Sequence, residues 1–348
     1  MVDSDDVLIR IDGRIGRITL NRPQALHALN QGMCDRILAA LRSWRDDDAV
    51  AAVVVDHAAG TRGFCAGGDI RMLAESGAAD GAEAFGFFQS EYRMNAAIKS
   101  FPKPYVAILD GITMGGGVGL SVHGSHRIAT ERTVFAMPET GIGLFPDVGG
   151  GWFLPRLAGE LGVWLALSGA RLKGGDVAAA GIATHLIASD AIEGLIDQCI
   201  ETGGDVDLAL EACVQNPGPG SFAAQIETIN RCFAFDRAEE IVEALERDGH
   251  DWARDQAAIL KSKSPRTVKV ALRQMREGAA LTSFEDNMRM EYRIARRQVM
   301  SADFQEGVRA VIVDKDNTPL WSPDTLESVS SAVIDEVFAP LGAEELTF

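Results

Sequence analysis

The sequence predicts an α/β protein followed by a mainly helical region, on three observations. Short apolar runs of strand length, at 51–55 and 105–109, alternate with stretches of helical spacing. Each of these runs leads into a glycine-rich loop. From about residue 217 onward the apolar residues recur mostly at helical spacing. We therefore expect buried strands in the first part of the chain and helices in the second.

The N-terminal elements have clear local signals. Two β-rich runs flank Asp12-Gly13, a dipeptide typical of tight hairpins. Asn30 is a candidate N-cap for a helix whose apolar residues recur every three or four positions from 33 to 44. A later helix is expected to stop before Pro102. Beyond the second glycine-rich loop the expected elements are one short helix and two short strands, at 120–126, 127–130 and 133–135.

A change of character near 217–220 suggests a domain boundary. The Pro-Gly-Pro-Gly stretch there is typical of a linker, and it predicts a core over 1–215 and a helical region over 216–348 that packs on or covers it. Three helix starts are expected in the second region, from Ser264 with Pro265, Thr282 with Glu285, and Asp303 with Glu306.

Composition and charge exclude several classes of function. Hydrophobic residues make up 47% of the chain and charged residues 24%, as in folded soluble proteins. The formal net charge is −17, which disfavours nucleic acid as a partner because its phosphates would be repelled. No apolar stretch approaches the roughly 20 residues that span a bilayer, so we expect no membrane partner.

The cysteines and the first residues predict the compartment. Five cysteines without a CxxC pair argue against a disulfide framework or a zinc cage. The start of the chain lacks the apolar run of a signal peptide and the Arg-rich, acid-poor character of a transit peptide. We therefore expect a cytoplasmic protein.

Two glycine-rich loops, at 63–69 and 115–119, are the first candidate site. Glycine lets a backbone approach a ligand closely, and free N–H groups at a helix start bind anions. Neither loop is a P-loop, and the second has no correctly spaced GxGxxG. If both loops point at one spot, two N–H groups form an oxyanion hole. The alternative is tight packing between strand and helix.

The loops carry a resemblance to a known family. Residues 64–70 and 110–117 resemble the two oxyanion loops of the crotonase (enoyl-CoA hydratase/isomerase) superfamily. Further runs resemble its 3-hydroxyisobutyryl-CoA hydrolase branch, at 22–23, 121–124, 135–151, 171–174, 290–293 and 303–310. The resemblance extends from about residue 7 to Trp321. It implies a crotonase (ClpP-like) β-β-α spiral core with a CoA-thioester site and a C-terminal helical region.

The resemblance also implies roles for individual residues. The oxyanion donors would be the backbone N–H groups of Gly68 and Gly116. Hydratases place one catalytic glutamate where this chain has Gly119, which has no side chain. The second hydratase glutamate matches Glu139, and the hydrolase branch adds an aspartate that matches Asp147. The residues implied to line the substrate are Ala66, Gly67, Asp69, Gly115 and Gly119.

The chemistry of a thioester hydrolase gives the two carboxylates several open roles. Glu139 would act as a general base on water or attack the carbonyl carbon itself. Asp147 would raise the pKa of Glu139 by repulsion, orient the water or bind a substrate hydroxyl. The alternatives without catalysis are a surface glutamate and an aspartate that caps the following helix.

The expected reaction is hydrolysis of 3-hydroxyisobutyryl-CoA to 3-hydroxyisobutyrate and CoA, a step of valine breakdown. No metal or redox cofactor is implied, since CoA enters as part of the substrate. Related superfamily members suggest a homo-oligomer, a trimer or a hexamer. The alternatives are an enoyl-CoA hydratase or isomerase of the same fold, which Gly119 disfavours, and a non-catalytic acyl-CoA binding protein.

Three other candidates are weaker. His123 and His126 form an HxxH pair without an evident third metal ligand. Cys65 lies in the first loop but has no identifiable base. His27 stands where relatives commonly have asparagine, in a segment that the resemblance places near the adenine end of CoA, so we expect it to affect affinity more than reaction.

Overall fold

The computed structural model describes residues 5–348, which form two compact units. Each unit is built from three stretches of the chain. The first unit contains residues 5–68, Arg93–Ala136 and Arg171–Ser221, and the second contains Asp69–Tyr92, Met137–Ala170 and Phe222–Phe348. The predicted division at 215/216 into a core and a helical region stays a prediction.

Ten strands and sixteen α-helices occur in residues 5–348. The strands are β1 (Val7–Asp12), β2 (Ile15–Leu20), β3 (Ala52–His57), β4 (Gly63–Cys65), β5 (Tyr105–Leu109), β6 (Ile112–Met114), β7 (His126–Ala129), β8 (Val134–Ala136), β9 (Leu172–Lys173) and β10 (His185–Leu186). The helices of the first two hundred residues are α1 (Gln31–Arg45), α2 (Ile70–Ala78), α3 (Ala82–Lys99), α4 (Gly116–Ser121), α5 (Gly150–Phe153), α6 (Leu161–Ser168), α7 (Gly175–Ala179) and α8 (Ile192–Glu201).

The remaining α-helices are α9 (Val206–Leu210), α10 (Ile226–Cys232), α11 (Ala238–Asp248), α12 (Asp251–Ser262), α13 (Pro265–Ala280), α14 (Phe284–Gln298), α15 (Ala302–Val308) and α16 (Ser331–Phe338). Single turns of 3₁₀ helix lie at Pro23–Ala25, Glu139–Ile142, Leu154–Arg156, Ser189–Ala191, Ala223–Gln225 and Gly342–Glu344, and a π-helical turn lies at Arg309–Val313. No helix within residues 5–348 has the length and apolar content needed to cross a bilayer.

All ten strands belong to the first unit, in two sheets. The six-stranded sheet has the order β1-β2-β3-β5-β7-β10, with β1 and β2 antiparallel and the other pairs parallel. The four-stranded sheet has the order β4-β6-β8-β9, with only the β8–β9 pair antiparallel. The predicted hairpin is confirmed, because Asp12 pairs with Ile15 and Gly13 has a φ of +62°.

The chain moves repeatedly from the larger sheet to the smaller one. β3 is followed by β4, β5 by β6 and β7 by β8, and helices follow the first two of these pairs. This repeated β-β-α arrangement has the form of the predicted spiral core, and the chain has the predicted α/β fold class.

The strands of the first unit are continuous apolar runs because they lie in its core. Parallel strands that are covered on both faces need apolar side chains in both directions. One face of the larger sheet packs against α8 and α9 through a cluster that includes Val54, Val106, Ile108, Leu195 and Leu210.

The second unit is helical, and the N-cap residues of three of its helices can be compared with the predicted ones. α13 begins as predicted, with Ser264 accepting a hydrogen bond from the Thr267 N–H and Pro265 in the first turn. The cap of α14 is Ser283, one residue after the predicted Thr282, because the Ser283 hydroxyl accepts from the Asp286 N–H. The cap of α15 is Ser301, two residues before the predicted Asp303.

Two predicted elements are therefore corrected by their local geometry. Asp303 is buried inside α15, where its carboxylate accepts the hydroxyl of Ser264 instead of capping the helix. The short helix expected at 120–126 begins four residues earlier, at Gly116, because Gly115 takes a φ of +47° and turns the chain directly from β6 into α4. His126 already belongs to β7.

The cap of α1 yields a stability prediction. Asn30 Oδ1 accepts from the Met33 N–H at 2.9 Å, and Nδ2 donates to Asp6 Oδ2 at 2.9 Å. Replacing a cap residue with alanine costs about 1 kcal/mol. We expect Asn30→Ala to lower the free energy of unfolding by about this amount in urea titrations, whereas Asn30→Ser, which keeps a capping oxygen, retains most of it. Equal stability of the two variants would contradict the assignment.

Candidate functional site

The first glycine-rich loop is held in place by backbone hydrogen bonds within the first unit. The Ala66 N–H donates to the Leu26 carbonyl at 3.0 Å, and the Leu29 N–H donates to the Gly67 carbonyl at 2.8 Å. Gly67 itself has a φ of +119°, which favours glycine. The loop that follows β4 therefore has one fixed path.

The second loop meets the first, backbone against backbone. A Cβ added to Gly67 would lie 3.7 Å from the Met114 carbonyl oxygen and 3.9 Å from the Gly116 nitrogen. A Cβ on Gly117 would lie only 2.3 Å from the Cys65 carbonyl oxygen. Gly116 is the first residue of α4, so its N–H has no partner within the helix.

The structure thus places Gly67 beside Gly115 and Gly116. The roles of Gly68 and Gly116 as donors stay predictions. Gly119 is buried in α4, and its N–H donates to the Gly115 carbonyl at 3.2 Å. Asp69 lies in the second unit, where its carboxylate caps α2 by accepting from the Met72 N–H.

His27 has a structural role that the sequence did not reveal. Its ring is fully buried, Nδ1 accepts from the Arg22 N–H at 3.0 Å, and Nε2 lies 3.0 Å from the Thr61 hydroxyl. Since Nδ1 accepts, the proton is on Nε2, which donates to Thr61. Burial, and then the nearby His57, lower the pKa of His27 to about 4, so the ring is neutral at pH 7.

The other weak candidates occupy ordinary structural positions. Cys65 is buried, and its Sγ donates to the His27 carbonyl at 3.2 Å. His123 is buried as well, whereas His126 bonds to Asp207 at 3.1 Å and stacks on His185. In the described part of the chain, no group of three His, Cys, Asp or Glu side chains has the arrangement of a metal site.

Three carboxyl groups are buried close together in the second unit. Glu139 opens a 3₁₀ turn and is 5% exposed, Asp147 is 5% exposed, and Glu91 of α3 is 2% exposed. Glu139 is therefore not a surface residue. Asp147 does not cap α5, because Gly149 occupies that cap position and only the Asp147 backbone carbonyl accepts from the Gly150 N–H.

Burial dominates the electrostatics of this cluster. It raises the pKa of Glu139 well above the usual value, and the negative charge of Asp147 adds to the rise. It raises the pKa of Glu91 in the same way, with contributions from Asp147 and Glu139. The pKa of Asp147 is raised to about 7 by burial, against a hydrogen bond from the Tyr92 hydroxyl at 2.9 Å that lowers it. The charge of each group therefore affects the protonation of the others.

Two oxygens of the cluster have no hydrogen-bond partner within residues 5–348, Glu139 Oε2 and Glu91 Oε1. A buried polar atom without a partner costs free energy, and such atoms are common where a substrate or water binds. Carboxylates with raised pKa values and free oxygens are suited to move protons at neutral pH.

Sequence analysis missed Glu91 and Tyr92, although a signal for Glu91 was present. Apolar residues recur at helical spacing at positions 84, 87, 88 and 92 of α3, and Glu91 falls within this series. Glutamate in such a stripe is unusual, because acidic residues are seldom fully buried without a partner. The importance of Tyr92 depends on its hydrogen bond to Asp147, 55 positions away in the sequence, which no local pattern shows.

Comparison with known proteins identifies the class. The β-β-α repeats and the close approach of the two glycine-rich loops are features of a crotonase-type protein. A family model described as enoyl-CoA hydratase/isomerase matches residues 15–338. The chain belongs to this family.

Individual relatives are similar over nearly their whole length. The 3-hydroxyisobutyryl-CoA hydrolase, mitochondrial, of Danio rerio is 47% identical over 98% of this chain and 91% of that protein. The protein of the same name from Homo sapiens is 43% identical over 99% of this chain and 91% of its own length.

Solved structures give the same fold under other names. A carnitinyl-CoA dehydratase from Mycobacterium thermoresistibile is 42% identical with a TM-score of 0.94, and covers 99% of both chains. An enoyl-CoA hydratase from Rhodobacter sphaeroides 2.4.1 is also 42% identical with a TM-score of 0.91, over 99% of this chain and 100% of the other.

One expectation is wrong on this comparison. The sequence predicted a cytoplasmic protein, but the similar hydrolases are named as mitochondrial proteins. The prediction came from the absence of a leader pattern, and such an absence does not establish a location.

The meeting of the two loops predicts an intolerant glycine. A methyl group on Gly117 would press on the Cys65 backbone, which cannot rotate away. We expect Gly117→Ala to lower the thermal unfolding midpoint, by a destabilisation of about 1–3 kcal/mol. The matched control is Gly194→Ala on α8, where nothing lies within 4 Å of the added Cβ and a small stabilisation is expected. Similar midpoints for the two variants would rule out the close approach.

The buried cluster predicts a pH-dependent stability. Because the folded-state pKa of Glu91 is raised above its unfolded value, its contribution to stability is present at low pH and is lost as pH rises. We expect Glu91→Gln to flatten the fall in thermal midpoint between pH 5 and 8, measured by differential scanning fluorimetry. Glu211→Gln, at an exposed position, should leave the wild-type slope unchanged. An unaltered slope in Glu91→Gln would contradict the burial argument.

Proposed function

We propose that this chain hydrolyses the thioester of 3-hydroxyisobutyryl-CoA to 3-hydroxyisobutyrate and CoA, a step of valine breakdown. The observation that carries the proposal is the pair Glu139 and Asp147, both buried with raised pKa values, in a chain that has glycine at 119. Relatives that are 43–47% identical over nearly the whole chain carry the name of this activity.

The proposed chemistry uses the two loops and the carboxylates in one reaction, as the family suggests. The N–H groups of Gly68 and Gly116 would stabilise the negative charge that develops on the carbonyl oxygen. A carboxylate of the cluster would take a proton from water as its oxygen bonds to the carbonyl carbon. The carbon–sulfur bond then breaks, and the CoA thiolate takes up a proton.

The raised pKa values suit this proton movement. A carboxylate with its usual pKa is a weak base at pH 7, and burial among like charges makes it stronger. Glu139 has the free oxygen Oε2, whereas Asp147 is fixed by Tyr92, so we assign the base or nucleophile to Glu139. Asp147 and Glu91 then tune Glu139, orient water or receive the substrate hydroxyl.

Two routes remain for Glu139, and they differ kinetically. A general base produces the acid and free CoA together. A nucleophile forms a mixed anhydride, so CoA appears in a burst before the acid. Rapid-quench measurement of both products in the first turnover distinguishes the routes.

A second candidate function is suggested by the solved structures named as a dehydratase and a hydratase. Hydration across a double bond by two glutamates would need a carboxylate at position 119, where this chain has glycine. We therefore expect this chain not to hydrate crotonyl-CoA. The measurement is the enoyl absorbance of crotonyl-CoA, which should not decrease.

We further propose that the reaction needs no metal or redox cofactor and that the chain forms a homo-oligomer, a trimer or a hexamer.

The central prediction concerns Glu139. We expect wild-type protein to release thiol from 3-hydroxyisobutyryl-CoA and Glu139→Gln to do so about 10²–10⁴ times more slowly, because the amide cannot accept the proton. Thiol release is followed with a thiol-reactive dye. Glu227→Gln, an exposed change of the same type, is the control.

Normal turnover in Glu139→Gln would remove Glu139 from the mechanism. No release by folded wild-type protein would refute the proposed function. Binding of the substrate in calorimetry without turnover would then favour a non-catalytic acyl-CoA binding protein.

A further inference from the structure

The loop that carries Asp147 has a strained backbone conformation. Val148 has a φ of +49° and Gly149 a φ of +88°. A β-branched residue in the left-handed region is strained, and such conformations persist where the surroundings hold them. The contacts that hold this loop come from helices α13, α14 and α3.

Glu291 of α14 binds the loop through both of its carboxylate oxygens. Oε2 accepts from the Gly149 N–H at 2.7 Å, and Oε1 accepts from the Gly151 N–H at 2.9 Å. Two neighbouring amides, Asn287 at 2.9 Å and Gln274 at 3.1 Å, also donate to Oε1. The Gln274 amide donates in addition to the Pro146 carbonyl at 2.7 Å.

Glu291 is fully buried, and within residues 5–348 it forms no ion pair with a lysine or arginine. Burial raises the pKa of Glu291 to about 8, and the hydrogen bonds from Gly149, Asn287 and Gly151 oppose that rise. In this arrangement each of the two backbone N–H groups bonds to a different oxygen of Glu291. A glutamine has one acceptor oxygen, and its amide nitrogen would face one of these donors.

Tyr92 of α3 contacts the side chain of Asp147. Its hydroxyl donates to Asp147 Oδ2 at 2.9 Å, and its ring meets the ring of Tyr292 edge to face at 6.4 Å. The Tyr292 hydroxyl accepts from the Gln89 amide at 2.9 Å. The backbone that follows Asp147 is therefore fixed through Glu291, and the Asp147 carboxylate is fixed through Tyr92.

We propose that Tyr92 and Glu291 are positioning residues for the hydrolysis, which hold the Asp147 carboxylate in a single orientation. This inference rests on the proposed function. Both residues act through Asp147, so their loss should reduce the chemical step more than substrate binding.

The titratable groups of the second unit around Asp147 give a second signature. Glu91, Glu139, Glu291 and Tyr92 all interact with it electrostatically. The Tyr92 hydroxyl lowers the pKa of Asp147, so removing that hydroxyl raises it. If the ionised cluster is active, the acidic limb of kcat/KM then moves to higher pH in Tyr92→Phe.

The experiment measures kcat, KM and the pH profile from 5 to 9 with 3-hydroxyisobutyryl-CoA. For Tyr92→Phe we expect kcat to fall on the order of 10-fold and the acidic limb of kcat/KM to move to higher pH. For Glu291→Gln we expect kcat to fall about 10²-fold. KM should be nearly unchanged in both variants. The matched control for Tyr92 is Tyr292→Phe, which removes a buried hydroxyl that bonds to Gln89. Glu285→Gln on α14 is the control for Glu291.

Three results would overturn the inference. They are kinetics of Tyr92→Phe that match the Tyr292→Phe control, an acidic limb that does not move, and a rise in KM at constant kcat. Tyr92→Phe removes one oxygen only, so its result decides the matter even where Glu291→Gln does not fold.

A further readout separates this inference from the proposed function. The carboxyl carbon of Asp147, labelled with ¹³C and assigned through Asp147→Asn, is titrated by NMR in wild type and Tyr92→Phe. An upward displacement of its titration supports the positioning role, and an unchanged titration overturns it. Wild-type protein without hydrolysis refutes the proposed function, whichever titration is found.

Discussion

The burial of several carboxyl groups without a counter-cation is the constraint on which the second unit depends. Within residues 5–348, no lysine or arginine forms an ion pair with Glu91, Glu139, Asp147 or Glu291, and burial is the largest cause of each raised pKa. Their stabilisation comes from neutral donors instead, namely a tyrosine hydroxyl, side-chain amides and backbone N–H groups. A cation in their place would lower the pKa values and remove the basicity that hydrolysis needs.

The first unit meets a different demand, which is steric. Its two loops approach so closely that the carbonyl of Cys65 occupies the space of a side chain at Gly117. The backbone hydrogen bonds of Ala66 and Leu29 hold the first loop in position. The neutral ring of His27 accepts a hydrogen bond in the same segment, from the Arg22 N–H. The first unit is therefore characterised by close backbone packing, and the second by buried carboxyl groups.

The sequence predicted what is encoded locally. The hairpin at Asp12-Gly13, the caps at Asn30 and Ser264, and the buried strand at 105–109 depend on neighbouring residues, and they are confirmed. The positions Glu139 and Asp147 were reached through a motif, and their burial agrees with it without testing their roles. The proposed roles of Tyr92 and Glu291 depend on hydrogen bonds between residues that are 55 and 142 positions apart in the sequence, respectively. Caps one or two residues away, as at Ser283, were missed because several hydroxyls and carboxylates compete there.

The interleaving of the two units has a consequence for how the chain folds during synthesis. The first unit is complete only when the ribosome has passed residue 221, and by then two stretches of the second unit, Asp69–Tyr92 and Met137–Ala170, have already emerged. Their apolar surfaces await partners from Phe222–Phe348. Such a chain exposes hydrophobic surface for a large part of its translation, and it is therefore most prone to aggregate before its last third has been made.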